Sequence, residues 1–128
     1  MQNNIFVFGS NTAGRHGAGA ARRARLAYGA KYGQGKGLQG RSYAIPTKDS
    51  SLKTLPIGKI SSYIKEFKEF VALNPDKEFY VTAIGTGLAG LSHEQIAPLF
   101  ENSPLNCVFP KTWETYLGAK YRYFTENL

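Results

Sequence analysis

The residues able to do chemistry cluster in the first half of this 128-residue sequence, and they stand among glycines. Asn11 and His16 lie in IFVFGSNTAGRHGAGAARR, the stretch from Ile5 to Arg23. The Asn11 amide can bond a ribose hydroxyl and position a water, or it can hold an Asx turn. His16, beside Gly17, titrates near neutrality, so it can take a proton or meet a phosphate as a cation. A loop histidine facing solvent is the plain alternative. Arg15 can clamp a phosphate or point to water. Asp49 is the sole carboxylate among residues 1–53. It can act as a base or orient His16, and capping a turn is its simpler role. Thr86, between Gly85 and Gly87, can donate its hydroxyl to a phosphate. Asn11, His16 and Asp49 are therefore the catalytic candidates. Gly9, Ser10, Asn11, Arg15, Gly17, Ala18 and Gly19 form one candidate binding loop, and Gly85, Thr86, Gly87, Leu88, Ala89 and Gly90 the other. His93, just after Ser92, reads as a surface residue.

Something must hold these residues in place. Ile5 to Phe8 are four apolar residues, followed by Gly9-Ser10-Asn11, then Gly14, Gly17 and Gly19, then the helix formers Ala20 to Arg23. That order reads as buried strand, glycine-rich loop and helix N-terminus. A helix start leaves four N–H donors unpaired and carries partial positive charge, so it can hold an anion. The first helix is expected over Gly19 to Ala27, with Gly29 ending it. GQGKGLQG, residues 33–40, reads as a mobile surface loop, and it lacks the Gly-Lys-Ser/Thr of a nucleotide P-loop. Tyr43 to Ile45 reads as a short strand stopped by Pro46, followed by Thr47, Lys48 and Asp49 at its C-terminal end.

Ile57, Ile60, Ile64, Phe67 and Val71 recur at spacings of three and four, which predicts a long helix packed on a sheet. Phe79 to Ile84 is a buried strand leading into Gly85-Thr86-Gly87-Leu88-Ala89-Gly90. Ser92, with Gln95 three residues on, has the capping-box spacing. Asn106 to Phe109 is a further strand, Thr112 to Leu117 a short helix, and Lys120 to Phe124 an edge strand. Strands and helices alternate, which predicts a single α/β domain over residues 1–128 with a largely parallel, centrally buried sheet. Both glycine loops follow strands, so both can open at one edge and share a diphosphate.

Composition sets limits on function. The net charge of +7 is concentrated: residues 1–53 carry nine Lys/Arg against one acid, whereas the remainder carries seven against eight. That field favours phosphates. Aromatics are not interleaved with the basic run at 15–25, so a small anion is preferred over DNA or RNA. No run of about eighteen apolar residues is present, as a membrane span would need. The N-terminal MQNN lacks a secretory pattern, which points to the cytoplasm. A single cysteine, Cys107, reads as a core residue, and two histidines with one cysteine argue against structural zinc. No cofactor is implied.

The order of these motifs resembles the macrodomain family. VFGSN looks like that family's Asn-bearing strand, HGAGAA like its diphosphate- and distal-ribose-binding loop, AIGTGLAGLS like its second phosphate loop, and CVFP like its last core strand. The likeness runs from about Ile5 to Trp113 and is nearest to short variants of bacteria and their phages. It implies a three-layer α/β/α sandwich around a mostly parallel mixed sheet. It also implies binding of ADP-ribose or a related ligand, with hydrolysis at the distal ribose of the ADP-ribosyl hydrolase or ADP-ribose-1''-phosphate phosphatase type. A non-catalytic reader or sequestering module, and a nucleic-acid-binding protein using the basic half, are the alternatives. Two features depart from the family. The Asp that binds adenine is missing, because no acid precedes Asp49, and the first loop lacks the Asp of some hydrolytic members.

Overall fold

The computed structural model describes residues 3–125. Its centre is β1 (Asn4–Asn11), whose apolar residues Ile5 to Phe8 are all buried because both faces of the strand are covered. A helix, α1 (Gly19–Ala27), follows, then the short β2 (Gly37–Gln39) and β3 (Ser42–Lys48). The long α2 (Ile57–Ala72) leads to β4 (Glu78–Val81) and the one-turn α3 (His93–Ile96). The chain closes with β5 (Cys107–Pro110), α4 (Glu114–Leu117) and β6 (Arg122–Phe124). The sheet order is β2-β3-β1-β4-β5-β6, and every pairing except β2 with β3 is parallel. The fold is therefore mixed α/β with helices on both faces of a mostly parallel sheet.

Alternation along β1 sorts the core. Ile5 and Val7 face the larger cluster, which contains Ile60, Ile64, Phe67 and Val71 of α2 together with Phe100, Phe109 and Trp113. Those four α2 side chains are almost completely buried, and each contributes about 1.5–3 kcal/mol by leaving water. Ile57, at the head of the same stripe, stays 44% exposed, and Gly58 and Lys59 beside it in the first turn of α2 are exposed too. Phe6 and Phe8 face the smaller cluster, where Ala21 and Ala24 let α1 lie close to the strand. Gly29, at φ +76°, reverses the chain after α1, and the Ala30 N–H returns to the Ala24 carbonyl.

Three sequence expectations change. The strand expected over Phe79 to Ile84 ends at Val81. Pro46 does not stop β3, which continues to Lys48. β2 reaches along β3 only as far as Ala44, which lies opposite Gly37, so among the described residues the outer edge of β3 has no partner strand at Pro46 and the missing N–H breaks no ladder there. Residues 33–40 are also no loose loop. The Gln39 side chain is buried, accepting from the Lys31 N–H (2.7 Å) and donating to the Gln34 carbonyl (3.1 Å). A Cβ on Gly35 would sit 2.3 Å from the Asn11 carbonyl oxygen, so this segment presses directly against the turn after β1.

Candidate functional site

β1 and β4 are neighbours running the same way, so their C-terminal ends open on one edge. After β1 the chain turns at once: the Gly14 N–H donates to the Asn11 carbonyl (2.9 Å). The Asn11 side chain then pins the returning strand of the loop. Its Nδ2 donates to the Arg15 carbonyl, and its Oδ1 accepts the Arg15 N–H, both at 3.0 Å. The loop next enters α1 through Ala18, which is extended and offers no side-chain cap. Among the described residues, the N–H groups of Gly17, Ala18, Gly19, Ala20 and Ala21 therefore meet no acceptor.

The second loop forms differently. β4 ends at Val81; the Thr82 N–H and hydroxyl both donate to the Val7 carbonyl, at 3.0 and 2.7 Å. The Ile84 N–H turns back to the Thr82 carbonyl, and the Leu91 N–H to the Gly85 carbonyl, closing the loop at its base. Among the described residues, the N–H groups of Gly87, Leu88 and Ala89 are left without a protein acceptor. Thr54 Oγ1 donates to the Ala89 carbonyl (2.7 Å), which ties this loop to the turn after β3. Ser92 and Gln95 form the expected capping box beyond it.

Both loops line one cavity of about 860 Å³. Of the proposed binding residues, Gly9, Ser10, Asn11, Arg15, Gly17, Ala18, Gly19, Gly85, Thr86, Gly87, Leu88 and Ala89 line it, and Gly90 does not. Gly17, Gly19 and Gly87 have open space where a Cβ would point, so the backbone is approachable at both rims. Thr86 spends its hydroxyl proton on the Ala83 carbonyl (2.6 Å), so it can only accept from a ligand unless it rotates. Arg15, Arg23 and Lys48 supply positive charge, and no Asp or Glu is among the lining residues.

The catalytic candidates separate. Asn11 lines the cavity, although its amide already latches Arg15. Asp49 does not reach it. Its Oδ1 caps the turn after β3, accepting from the N–H groups of Ser51 (2.8 Å) and Lys53 (3.0 Å). His16 is fully buried, not a solvent-facing loop residue, and is absent from the lining. It lies edge-on to Phe8, and its Nε2 is 3.1 Å from Ser10 Oγ. Among the described residues Nδ1 has no partner at ordinary hydrogen-bond geometry. Burial lowers its pKa and the Arg25 charge adds to that, while the backbone of Gln34 acts weakly in the opposite direction. His93 is half-buried, its Nδ1 accepting from Trp113 Nε1 at 2.9 Å. That gives it a structural role between α3 and the turn before α4.

Among the lining residues that sequence reading did not name as binding candidates are Phe6, Arg23, Thr82 and Phe124. Phe6 could have been found by strand alternation, since it lies on the face of β1 turned towards α1, and Thr82 from its place directly after β4. Phe124 could not, because its place depends on the pairing of β6 with β5. Among the described residues no group of three or more His, Cys, Asp or Glu is arranged to hold a metal ion, and no helix is long and apolar enough to cross a membrane. Comparison with family models, curated proteins and solved structures finds no match to this chain.

Proposed function

We propose that the cavity binds ADP-ribose or a closely related nucleoside-diphosphate ribose, with the diphosphate held between the two glycine loops. One observation carries the reading: two separate runs of unpaired N–H groups, 17–21 and 87–89, border a single cavity that also holds three cationic residues and no carboxylate. A diphosphate satisfies both runs at once, and charge-assisted hydrogen bonds to backbone N–H groups are the strong kind. The cavity volume suits a dinucleotide-sized ligand. Phe124, half-buried beside Tyr80 at a ring separation of 6.1 Å, offers an aromatic surface for a base. The motif order that resembles macrodomains agrees with this reading. With no acid in the lining, the base is chosen by stacking and shape, not by a carboxylate on an exocyclic amine. Hydrolysis at the distal ribose belongs to the same proposal. Asn11 there contributes its second N–H and its second lone pair, the first of each being committed to Arg15.

Titration calorimetry with ADP-ribose, followed by chromatography of the mixture, tests the reading. Saturable binding at one ligand per chain is expected, and a Gly87→Pro variant, which loses one loop donor, binds more weakly. Absence of heat up to millimolar ADP-ribose would sink it. Retention of intact ligand identifies a reader, and appearance of product identifies an enzyme.

A further inference from the structure

We propose that Ser10 is a nucleophile served by His16, so that the cavity acts on an ester-type carbonyl carried by its ligand. Ser10 lies where the last residues of β1 meet the cavity, and it lines that cavity. Its Oγ is 3.1 Å from His16 Nε2, within reach for proton transfer. The imidazole itself is sealed behind Ser10, at 0% exposure, with Phe8 against its edge and Tyr32 beyond. Among the described residues its one side-chain hydrogen-bond partner is Ser10, so any proton it exchanges with a ligand passes through that hydroxyl.

The protonation pattern follows from the surroundings. The Gln34 backbone acts on the ring as a hydrogen-bond acceptor and favours a proton there, although among the described residues Nδ1 has no partner at ordinary hydrogen-bond geometry. The neutral tautomer with hydrogen on Nδ1 leaves the Nε2 lone pair directed at Ser10. Ser10 Oγ has a second acceptor in reach, the Asn11 carbonyl at 3.2 Å, and its proton leaves that carbonyl for Nε2 when the oxygen attacks.

The step balances without a further reagent. Ser10 Oγ forms a bond to the carbonyl carbon while its proton moves to His16 Nε2. The bond from that carbon to the alcohol oxygen breaks, and a cavity water protonates the departing alkoxide and becomes hydroxide, while the sealed Nε2 keeps the Ser10 proton. That hydroxide attacks the acyl-Ser10, and Nε2 returns its proton to Ser10 Oγ as the carboxylic acid leaves. Unpaired N–H groups at 17–21 are at hand in the same cavity for the carbonyl oxygen when it becomes anionic.

The test does not depend on ADP-ribose. An alkyl fluorophosphonate is added to the full chain and the adduct is located by peptide mass spectrometry. Labelling of Ser10 is expected, at least tenfold slower in His16→Gln and gone in Ser10→Ala, each variant being checked for folding by circular dichroism. As a second arm, Ser10→Cys is treated with iodoacetamide, alone and combined with His16→Gln. Cys107 is fully buried, so it serves as a silent internal control. The thiol introduced by Ser10→Cys should react at least tenfold faster with His16 present. No Ser10 adduct, or equal alkylation rates for Ser10→Cys with and without His16→Gln, overturns the proposal. Ser10 labelling without any ADP-ribose binding rejects the ligand reading and leaves the nucleophile standing; binding without labelling does the reverse.

Discussion

Gly14 gives the sharpest test of how the first loop is held. It sits at φ +70°, and an added Cβ would lie 2.4 Å from both Gln34 N and Gly33 C. Carbon contacts settle at about 3.5–4.0 Å, so Gly14→Ala intrudes by roughly 1 Å on backbone that cannot rotate away. The left-handed conformation costs a Cβ residue about 1–2 kcal/mol, and overpacking adds about 1–3 kcal/mol. The sum, about 2–5 kcal/mol, is a large share of the ~5–15 kcal/mol that holds a typical domain folded. Two neighbouring glycines separate the contributions. Gly33, at φ +97°, has nothing within 4 Å of its Cβ position, so Gly33→Ala carries only the conformational cost. Gly35 has no positive φ but would meet the Asn11 carbonyl oxygen at 2.3 Å, so Gly35→Ala carries only the steric one. Urea unfolding of the three variants should rank Gly14→Ala as the most damaged. ADP-ribose affinity should fall in Gly14→Ala and Gly35→Ala, which push on the turn carrying Asn11, and hold within about twofold in Gly33→Ala. Equal midpoints for Gly14→Ala and Gly33→Ala would refute the claim that the two segments are in hard contact.

Further outcomes follow from the same geometry. The folded state lowers the His16 pKa below its ordinary 6.5, so the unfolded chain binds the extra proton first on acidification. Stability from this group is then complete above pH 6.5 and lost as pH falls through the lowered value, a slope that thermal melts between pH 8 and 5 should show and His16→Gln should flatten. Burial pushes the Cys107 thiol up to about 12, so a thiol reagent at pH 8 should modify it only on unfolding, and modification at native-state rates comparable to a free thiol would contradict its place in the core. Arg15→Ala, Arg23→Ala and Lys48→Ala should each weaken ADP-ribose about 2–5-fold by calorimetry, since exposed charges contribute about 0.5–1 kcal/mol each, with the effect shrinking as salt is raised.

The sequence carried the site's frame further than its chemistry. Four consecutive apolar residues before a glycine turn define β1, and α1 begins and ends where Gly19 and Gly29 indicate. The Ser92–Gln95 capping box and the α2 stripe are local patterns, so they survive folding unchanged. Pro46 misled because a proline's effect depends on whether a strand pairs at the edge its missing N–H faces, and β2 stops short of that position. Residues 33–40 misled because their glycines serve close backbone approach to the Asn11–Gly14 turn, a contact between distant segments. His16 shows the limit most clearly. A histidine between Arg15 and Gly17 in a glycine-rich loop looks exposed by every local rule. Strand alternation, however, turns Ser10 to the same face as Phe6 and Phe8, and the loop folds back over that face, carrying His16 under it.

The lack of a carboxylate in the cavity also bears on what sort of enzyme this would be. A serine–histidine pair usually has a third group that orients the imidazole and stabilises its charged form, and losing that group costs about 10⁴ in kcat in the serine-protease case. Here Nδ1 has no such partner, and the nearby Arg25, whose Nε donates to the His16 carbonyl at 3.3 Å, disfavours an imidazolium. Turnover through Ser10 is therefore expected to be slow relative to ligand binding. A slow enzyme and a reader differ little in steady-state assays, so the deciding measurement is a single turnover with chain in excess over an esterified ligand. Acyl-Ser10 accumulating within that turnover, and absent in Ser10→Ala, would mark catalysis. An unchanged ester after many hours, with binding intact, would mean that the buried histidine only braces the loop.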